Sequence, residues 1–227
     1  LTESFINIRI NITEGSTYYC SNKTYELYVE RAFNVKPIEY SLKDFPKPFV
    51  SQDGVTDVML VVGASDPRGP CNGAHTIDVA AGMYVAYTLG REAQEGVPRI
   101  WLDWQVTSYN STHVRGFTKS GNIITLGGPV VNLITKYYHD LSYSGAQILA
   151  AYMDVDAGGY YIYSTATGNK YHMVNDYGQG KTVTDYAMIV FHYDSSDGRY
   201  VLIVAGLSGY STYEAAKWLS NKPSMSG

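Results

Sequence analysis

Charged residues are scarce in this chain. They make up 17% of its 227 residues, against about 25% in an average soluble protein. Cations are the scarcer sign, because 17 Lys and Arg stand against 21 Asp and Glu and leave a formal net charge of −4. Since nucleic-acid binding depends on a dense basic patch, this composition argues against a nucleic-acid partner.

Long apolar runs and cysteine motifs are missing as well. No apolar run reaches the roughly 18 residues that span a bilayer, so we expect no transmembrane segment. The 2 cysteines form no CxxC, and the 5 histidines show no HxH or HExxH spacing. A zinc ribbon, a thioredoxin-type redox site and covalently attached haem are therefore excluded, and no zinc site is expected.

The two cysteines, Cys20 and Cys71, lie far apart in a chain that is poor in charge. Such a pair indicates one structural disulfide formed in an oxidising compartment, with two unrelated buried thiols as the alternative. Three sequons for N-linked glycosylation begin at Asn11, Asn22 and Asn110, which fits a secreted protein. The chain begins at Leu1 rather than Met, as expected after removal of a targeting segment and equally after recombinant expression.

Residues 1–55 are predicted to be a β extension of a larger core. Residues 5–12 alternate between apolar and polar side chains, which predicts a half-buried strand. A less regular alternation over 24–33 predicts a second strand, and the proline-containing stretch 34–55 is interpreted as a connection. The apolar face of the first strand consists of Ile6, Ile8, Ile10 and Ile12.

Residues 56–227 have the pattern of an α/β domain. The apolar run Asp57–Gly63 predicts a strand covered on both faces, as in a parallel sheet. Strand–loop–helix units start near residues 57, 122 and 199 and predict a mixed sheet with helices on both faces, a Rossmann-like or flavodoxin-like core. Further strands are predicted at 99–106, 146–152, 160–165, 170–174 and 185–193.

The predicted helices have recognisable beginnings. The first covers Thr76–Glu95, and Pro129 suits the first turn of the second. The third runs from Thr212 to Ser220, where Ser211 and Glu214 have the spacing of a capping box.

Two glycine-containing loops have features of sites, and each has a simpler interpretation. The loop Gly127–Asn132 could present backbone N–H groups to an anion, but it lacks the GxGxxG and P-loop spacings, so a tight structural turn is favoured. Ser208 stands in a sequence similar to the serine elbow of hydrolases. Tyr210 replaces the glycine that this elbow requires, and no histidine follows His192 for a triad.

The acidic and aromatic motifs are also weak indications of a site. The loops at 154–159 and 194–197 could supply calcium ligands, but turn formation by Asp and Gly explains them more simply. Asp103 lies between Trp101 and Trp104 and could belong to a sugar-binding surface, with an ordinary aromatic strand as the alternative. No coherent catalytic constellation emerges, so we expect neither an enzyme nor a cofactor beyond N-linked glycans.

Tyrosine is the clearest excess, with 22 residues. Tyrosine is favoured at interfaces, because its ring buries a large area while its hydroxyl stays polar. Tyr160 and Tyr161 are adjacent in a predicted strand, so one of the two rings must point away from the core. The composition therefore favours a surface built for contact.

Three segments resemble secreted cell-surface and S-layer-type proteins of hyperthermophilic archaea. They are Asp57–Ala64 with the Ala-rich helix that follows, the strand–Gly127–Asn132–helix unit, and the strand–Gly206–Gly209–helix ending. The resemblance covers about residues 55–220. It implies a glycosylated, non-catalytic subunit that polymerises with itself outside the cell. The alternatives are an extracellular module that binds polysaccharide or another surface protein and, with less support, a secreted hydrolase.

The strand at residues 5–13 has a predicted role in such assembly. A strand close to a terminus can leave its own fold and add to the sheet edge of a neighbouring copy. Repeated head to tail, this contact gives an open filament. Pairing of the strand within its own chain is the alternative.

Overall fold

The computed structural model describes residues 3–12, 23–32, 40–51, 53–56, 58–94, 96, 98–146, 148–174 and 183–221, with the first two ranges and residue 183 described by their backbone alone. The strands are β1 (Glu3–Ile12), β2 (Lys23–Ala32), β3 (Val58–Val62), β4 (Arg99–Leu102), β5 (Thr107–Tyr109), β6 (Val114–Phe117), β7 (Asn122–Leu126), β8 (Ala151–Asp156), β9 (Gly159–Ser164), β10 (Lys170–His172), β11 (Val183–Asp194) and β12 (Arg199–Gly206). The helices are α1 (Thr76–Glu92), α2 (Asp103–Val106), α3 (Leu133–Leu141) and α4 (Gly209–Asn221).

A seven-stranded sheet in the order β2-β1-β11-β12-β7-β3-β4 forms the centre of the fold. Strands β12, β7, β3 and β4 are mutually parallel, whereas β11, β1 and β2 join by antiparallel pairing. Every residue of β3 is buried, as its continuous apolar run predicts. The predicted α/β class with a mixed sheet is confirmed.

Helices cover both faces of the sheet. One core layer lies under α1 and α4 and contains Leu60, Ile124 and Leu202. The other lies under α3 and the three-stranded sheet β10-β9-β8 and contains Ile123, Ile134 and Ile203. We refer to these as the α1/α4 face and the α3 face. Alternate residues of each central strand supply the two layers, because successive side chains of a strand point to opposite faces.

The stretch predicted as a connection contributes to the core. A short 3₁₀ turn covers Leu42–Asp44, and Leu42, Phe45 and Phe49 are buried in the α1/α4 layer. The Phe49 ring packs edge-on against Phe191 of β11, with ring centroids 5.9 Å apart. This segment therefore contributes directly to the packing of the α/β core.

Strand β1 pairs within its own chain in this structure. It lies between β2 and β11, and its register places Ile6 opposite Ile189 and Ile8 opposite Ala187. Ile189 and Ala187 are buried in the α1/α4 layer, so the isoleucine positions of β1 share the face of that layer. Exchange of β1 between copies stays a prediction.

Several predicted boundaries differ from the structure, among them the end of α1, which is Glu92 rather than Glu95. The strand at 99–106 ends at Leu102 and turns into α2, α3 begins at Leu133 rather than Pro129, and β8 begins at Ala151 after the π-helical turn Ser142–Ala146. Helix α4 begins at Gly209, and Ser208 rather than Ser211 precedes its first turn. Ser208 and Ser211 form the reciprocal cap, since each accepts a hydrogen bond at its hydroxyl from the other's backbone N–H, at 3.1 and 3.3 Å.

Candidate assembly surface

Strand β4 leaves apolar side chains exposed at one end of the sheet. Ile100 is 63% exposed, and Leu102 is also exposed. Their register partners on β3, Leu60 and Val62, are buried. The difference arises because, within the described part of the chain, α1 packs over β3 and β7, whereas Ile100 and Leu102 of β4 stay exposed.

Helix α1 carries a second set of exposed apolar side chains. Val79, Met83 and Tyr87 repeat every four residues, and Met83 is 72% exposed. On another side of the helix, Tyr84 packs against Tyr213 of α4, with a 2.9 Å hydrogen bond between the hydroxyls. Helical geometry places Met83 and Tyr87 opposite the buried side of the helix, which contains Ala81, Val85 and Leu89, so both face away from the sheet.

We call these two sets of exposed apolar residues together the edge patch. It consists of Val79, Met83, Tyr87, Ile100 and Leu102. Its two strand residues belong to β4, the last strand on that side of the sheet within the described part of the chain. Exposed apolar patches and open strand edges are the features by which folded proteins pair with other chains.

The opposite face of β4 borders a polar cavity of about 370 Å³. Arg99 and Lys119 are its two cations, and the Lys119 ammonium lies 4.6 Å from the ring centroid of Trp101. None of the lining residues within the described part of the chain is acidic, and the two cations make the cavity suited to an anionic group. The lining consists of Thr56, Val58, Met59, Arg99, Trp101, Thr118, Lys119 and Ser120.

Tyrosines cover the outer side of the small sheet, and we call this surface the tyrosine face. Tyr152 and Tyr163 are cross-strand partners with ring centroids 5.2 Å apart. Tyr143 packs against Tyr152 and is 60% exposed, and Tyr161 completes the set under Lys170, whose ammonium lies 4.3 Å from its ring centroid. Of the adjacent pair in β9, Tyr161 shares this outer side, whereas Tyr160 lies on the side of the core residue Ile162 and is 57% exposed. The two rings therefore lie on opposite sides of the small sheet.

The carboxyl ends of the parallel strands, where open α/β sheets bind ligands, hold buried acids. Asp103 is 2% exposed. One of its oxygens accepts hydrogen bonds from the backbone N–H of Ala64 and Trp104, at 3.2 and 2.8 Å, and the other from that of Leu133, at 3.0 Å. These hydrogen bonds lower the pKa of this carboxyl, but burial raises it by more, so the pKa lies above its usual value. Asp103 therefore ties three segments together.

Two further buried acids lie at the same end. Asp185 accepts a hydrogen bond from the Ser208 hydroxyl, and Asp78 accepts one from the His75 backbone N–H at 3.2 Å. Burial raises the pKa of both carboxyls. Ser208 therefore contacts an acid and caps α4. We call Asp78, Asp103, Asp185 and Ser208 the carboxyl-end cluster.

The glycine loop Gly127–Asn132 is organised by Asn132. Its side-chain amide donates to the Leu126 carbonyl at 2.9 Å, while its carbonyl oxygen accepts from the backbone N–H groups of Ile134 and Thr135 at the start of α3. Both the NH₂ group and the carbonyl oxygen of the Asn132 side chain are thus hydrogen-bonded within the chain. This geometry agrees with the prediction of a structural turn.

The acidic loops are likewise engaged with donors of their own chain. Asp156 accepts from Lys170 and His172 at 2.7 and 2.8 Å, and these hydrogen bonds lower its pKa. Asp194 accepts from the buried Tyr138 hydroxyl at 2.9 Å. In the part of the chain that the structure describes, no three His, Cys, Asp or Glu side chains gather as metal ligands.

The predicted modification sites are only partly within the described residues. Cys20 and Asn22 lie outside them. Cys71 is buried, its sulfur lies 3.5 Å from the Pro129 carbonyl oxygen, and burial raises the pKa of its thiol to about 12. Asn11 is the penultimate residue of β1. Asn110 lies in the turn between β5 and β6, beside the exposed Ser111 and Thr112. The disulfide and the glycans stay predictions.

Comparison with known proteins leaves the function to be argued from this chain alone. No family model matches it, and no curated protein matches it. None of the helices within the described ranges is long and apolar enough to cross a membrane.

Proposed function

We propose that this protein is a secreted, glycosylated, non-catalytic structural subunit that assembles with copies of itself into an extracellular filament or surface layer. The edge patch is the observation that carries the proposal. It combines a strand edge, whose backbone groups can accept another strand, with exposed apolar side chains on the same strand and on α1. In the proposed assembly a second copy of the chain, the partner that is always present, covers these features.

Other features support this function without carrying it. The exposed turn at Asn110 leaves room for a glycan, and glycans add solubility to exposed polymer subunits. The carboxyl-end cluster uses its polar groups to fasten the fold. The resemblance to archaeal surface proteins leads to the same class of function.

The test is the assembly state of the purified chain before and after a charge is placed in the edge patch. Sedimentation velocity and electron microscopy should show concentration-dependent polymers for the unaltered protein. Ile100→Lys should raise the concentration needed for assembly by at least tenfold, because burial of one isoleucine contributes about 1.5–3 kcal/mol and a buried unpaired charge adds to the loss.

Val155→Lys is the matched control. Val155 is also an exposed aliphatic residue of a strand, at 57% exposure, but it lies in β8, away from the edge patch. The Val155→Lys variant should leave the concentration needed for assembly unchanged. A stable monomer at all concentrations, or equal effects of the two lysines, would contradict the proposal.

Exchange of β1 is a second possible route to assembly and is tested separately. Removal of residues 1–13 should leave a folded monomer that no longer polymerises if the strand is donated. Unfolding of the shortened chain, or normal assembly, would contradict donation while leaving the edge patch in place.

The tyrosine face favours a second candidate function, the binding of polysaccharide or of another surface protein. An exposed tyrosine ring such as that of Tyr143, with hydrogen-bonding groups beside it, is suited to such contacts. This function predicts a stable monomer whose binding to a cell-wall polysaccharide is lost in Tyr143→Ala. The structural function predicts that Tyr143→Ala assembles normally.

A further inference from the structure

The seven-stranded sheet has two ends, and they differ in charge. In the described part of the chain, β4 is the last strand on one side and β2 the last on the other. Beside β4 lies the cavity with Arg99 and Lys119, and none of its described lining residues is acidic. Strand β2 carries two acids, Glu26 and Glu30, and two cations, Lys23 and Arg31.

The directions of the two end strands suit direct pairing. Strand β4 is parallel to β12, which is antiparallel to β11. Strand β1 is antiparallel to β11, and β2 is antiparallel to β1. It follows that β2 runs antiparallel to β4. A second copy placed beside the first in the same orientation would bring its β2 antiparallel to β4, the arrangement with the more stable ladder.

The two faces of these strands also correspond. The register of β2 through β1 and β11 places Leu27 and Val29 on the α1/α4 face, which is the face of Ile100 and Leu102. The same register places Glu26 and Glu30 on the α3 face, and Lys23 and Arg31 on the α1/α4 face. Arg99 and Trp101 share that face, because their β3 partners Met59 and Val61 belong to its core layer.

We infer that β2 of one copy pairs antiparallel with β4 of the next, so that the central sheet continues from subunit to subunit. This inference rests on the proposed function and names its junction. The apolar positions of β2 adjoin the edge patch, and its acidic positions adjoin Arg99 and the cavity. The contact is heterologous and leaves a free edge at each end, so it produces an open filament rather than a closed dimer.

A charge-reversal cycle tests the junction. Arg99→Glu sets two acids against each other across the junction, and Glu30→Lys sets two cations against each other. Each single variant should raise the concentration needed for assembly by about tenfold at low salt, and the double variant in one chain should restore it. The difference in assembly concentration between the single variants and the unaltered chain should shrink in high salt, because exposed charges are screened. Arg115→Glu is the control, since Arg115 is also an exposed strand arginine, on β6.

The outcomes separate the junction from the function. If the unaltered chain does not assemble, the proposed function fails and the junction with it. If it assembles but Arg99→Glu behaves like Arg115→Glu, or the double variant is no better than the singles, this junction is wrong and the structural function stands. Circular dichroism checks each variant for folding. If Glu30→Lys does not fold, the comparison of Arg99→Glu with Arg115→Glu still tests whether β4 forms the junction.

Discussion

The carboxyl-end cluster and the edge patch differ in whether their groups have partners within the chain. At the carboxyl ends of the strands, buried acids accept hydrogen bonds from backbone and side-chain donors of the same chain. At β4, apolar side chains and a strand edge stay exposed. The site where an α/β sheet ordinarily binds ligands thus holds the fold together. The surface suited to a partner lies at the end of the sheet.

The largest effect is expected at Asp103. Asp103→Ala leaves three backbone N–H groups without their acceptor, two of them buried, at a cost of about 1–3 kcal/mol for each buried unsatisfied group. Allowing for local relaxation, the free energy of unfolding should fall by roughly 3–5 kcal/mol. Urea unfolding measures this change.

Asp66→Ala is the control for that comparison. Asp66 is exposed in the loop after β3, so its removal should change the free energy of unfolding by less than about 0.5 kcal/mol. Equal losses in the two variants would mean that the carboxyl-end cluster does not fasten the fold.

A pH-dependent effect is expected at Asp185. Because burial raises the pKa of this carboxyl above 3.8, the folded chain binds its proton more tightly than the unfolded chain does. Stability from this group is full below about pH 3.8 and is lost as the pH rises through the folded-state pKa. The Asp185→Asn variant has no carboxyl to ionise at this position. The free energy of unfolding of the variant, minus that of the unaltered chain, should therefore increase with pH.

Denaturant unfolding from pH 3.5 to pH 7 tests this sign. The comparison between the two chains cancels the contributions of Asp78 and Asp103, whose pKa values are also raised. A difference that is constant with pH, or that moves the other way, would show that Asp185 is ionised without penalty in the folded chain.

The smallest effect on stability is expected in the edge patch. Ile100→Lys should change the unfolding free energy of the monomer by less than about 0.5 kcal/mol, because the side chain is already exposed. Urea unfolding at a concentration below assembly measures it. A loss of 2 kcal/mol or more, of the order of burying an aliphatic side chain, would mean that Ile100 belongs to the core rather than to a contact surface.

The sequence predicts those elements whose pattern is local. Strand β3 follows from an unbroken apolar run, and the buried side of α1 from Ala81, Val85 and Leu89 at intervals of four residues. The turn after Leu102 does not follow, because it depends on hydrogen bonds from Ala64 and Leu133, which are 39 and 30 residues from Asp103. Local alternation contains no information about such partners.

The edge patch could be predicted only in part for the same reason. Val79, Met83 and Tyr87 show a four-residue spacing of their own, which is a visible signal of a second apolar side on α1. Ile100, between Arg99 and Trp101, looks like any core residue of a strand. Its exposure depends on β4 being the end of the sheet, and strand order is set by the whole chain.

Hydrogen exchange on the assembled protein and on its monomer tests the central claim most directly. Strand pairing protects the backbone amides of both partners, so peptides covering Arg99–Leu102 and Lys23–Ala32 should exchange more slowly in the assembly than in the monomer. Peptides covering Ala151–Ser164 should exchange equally in both states. Protection confined to Ala151–Ser164, with the β4 and β2 peptides unchanged, would contradict the account and assign the contact to the tyrosine face.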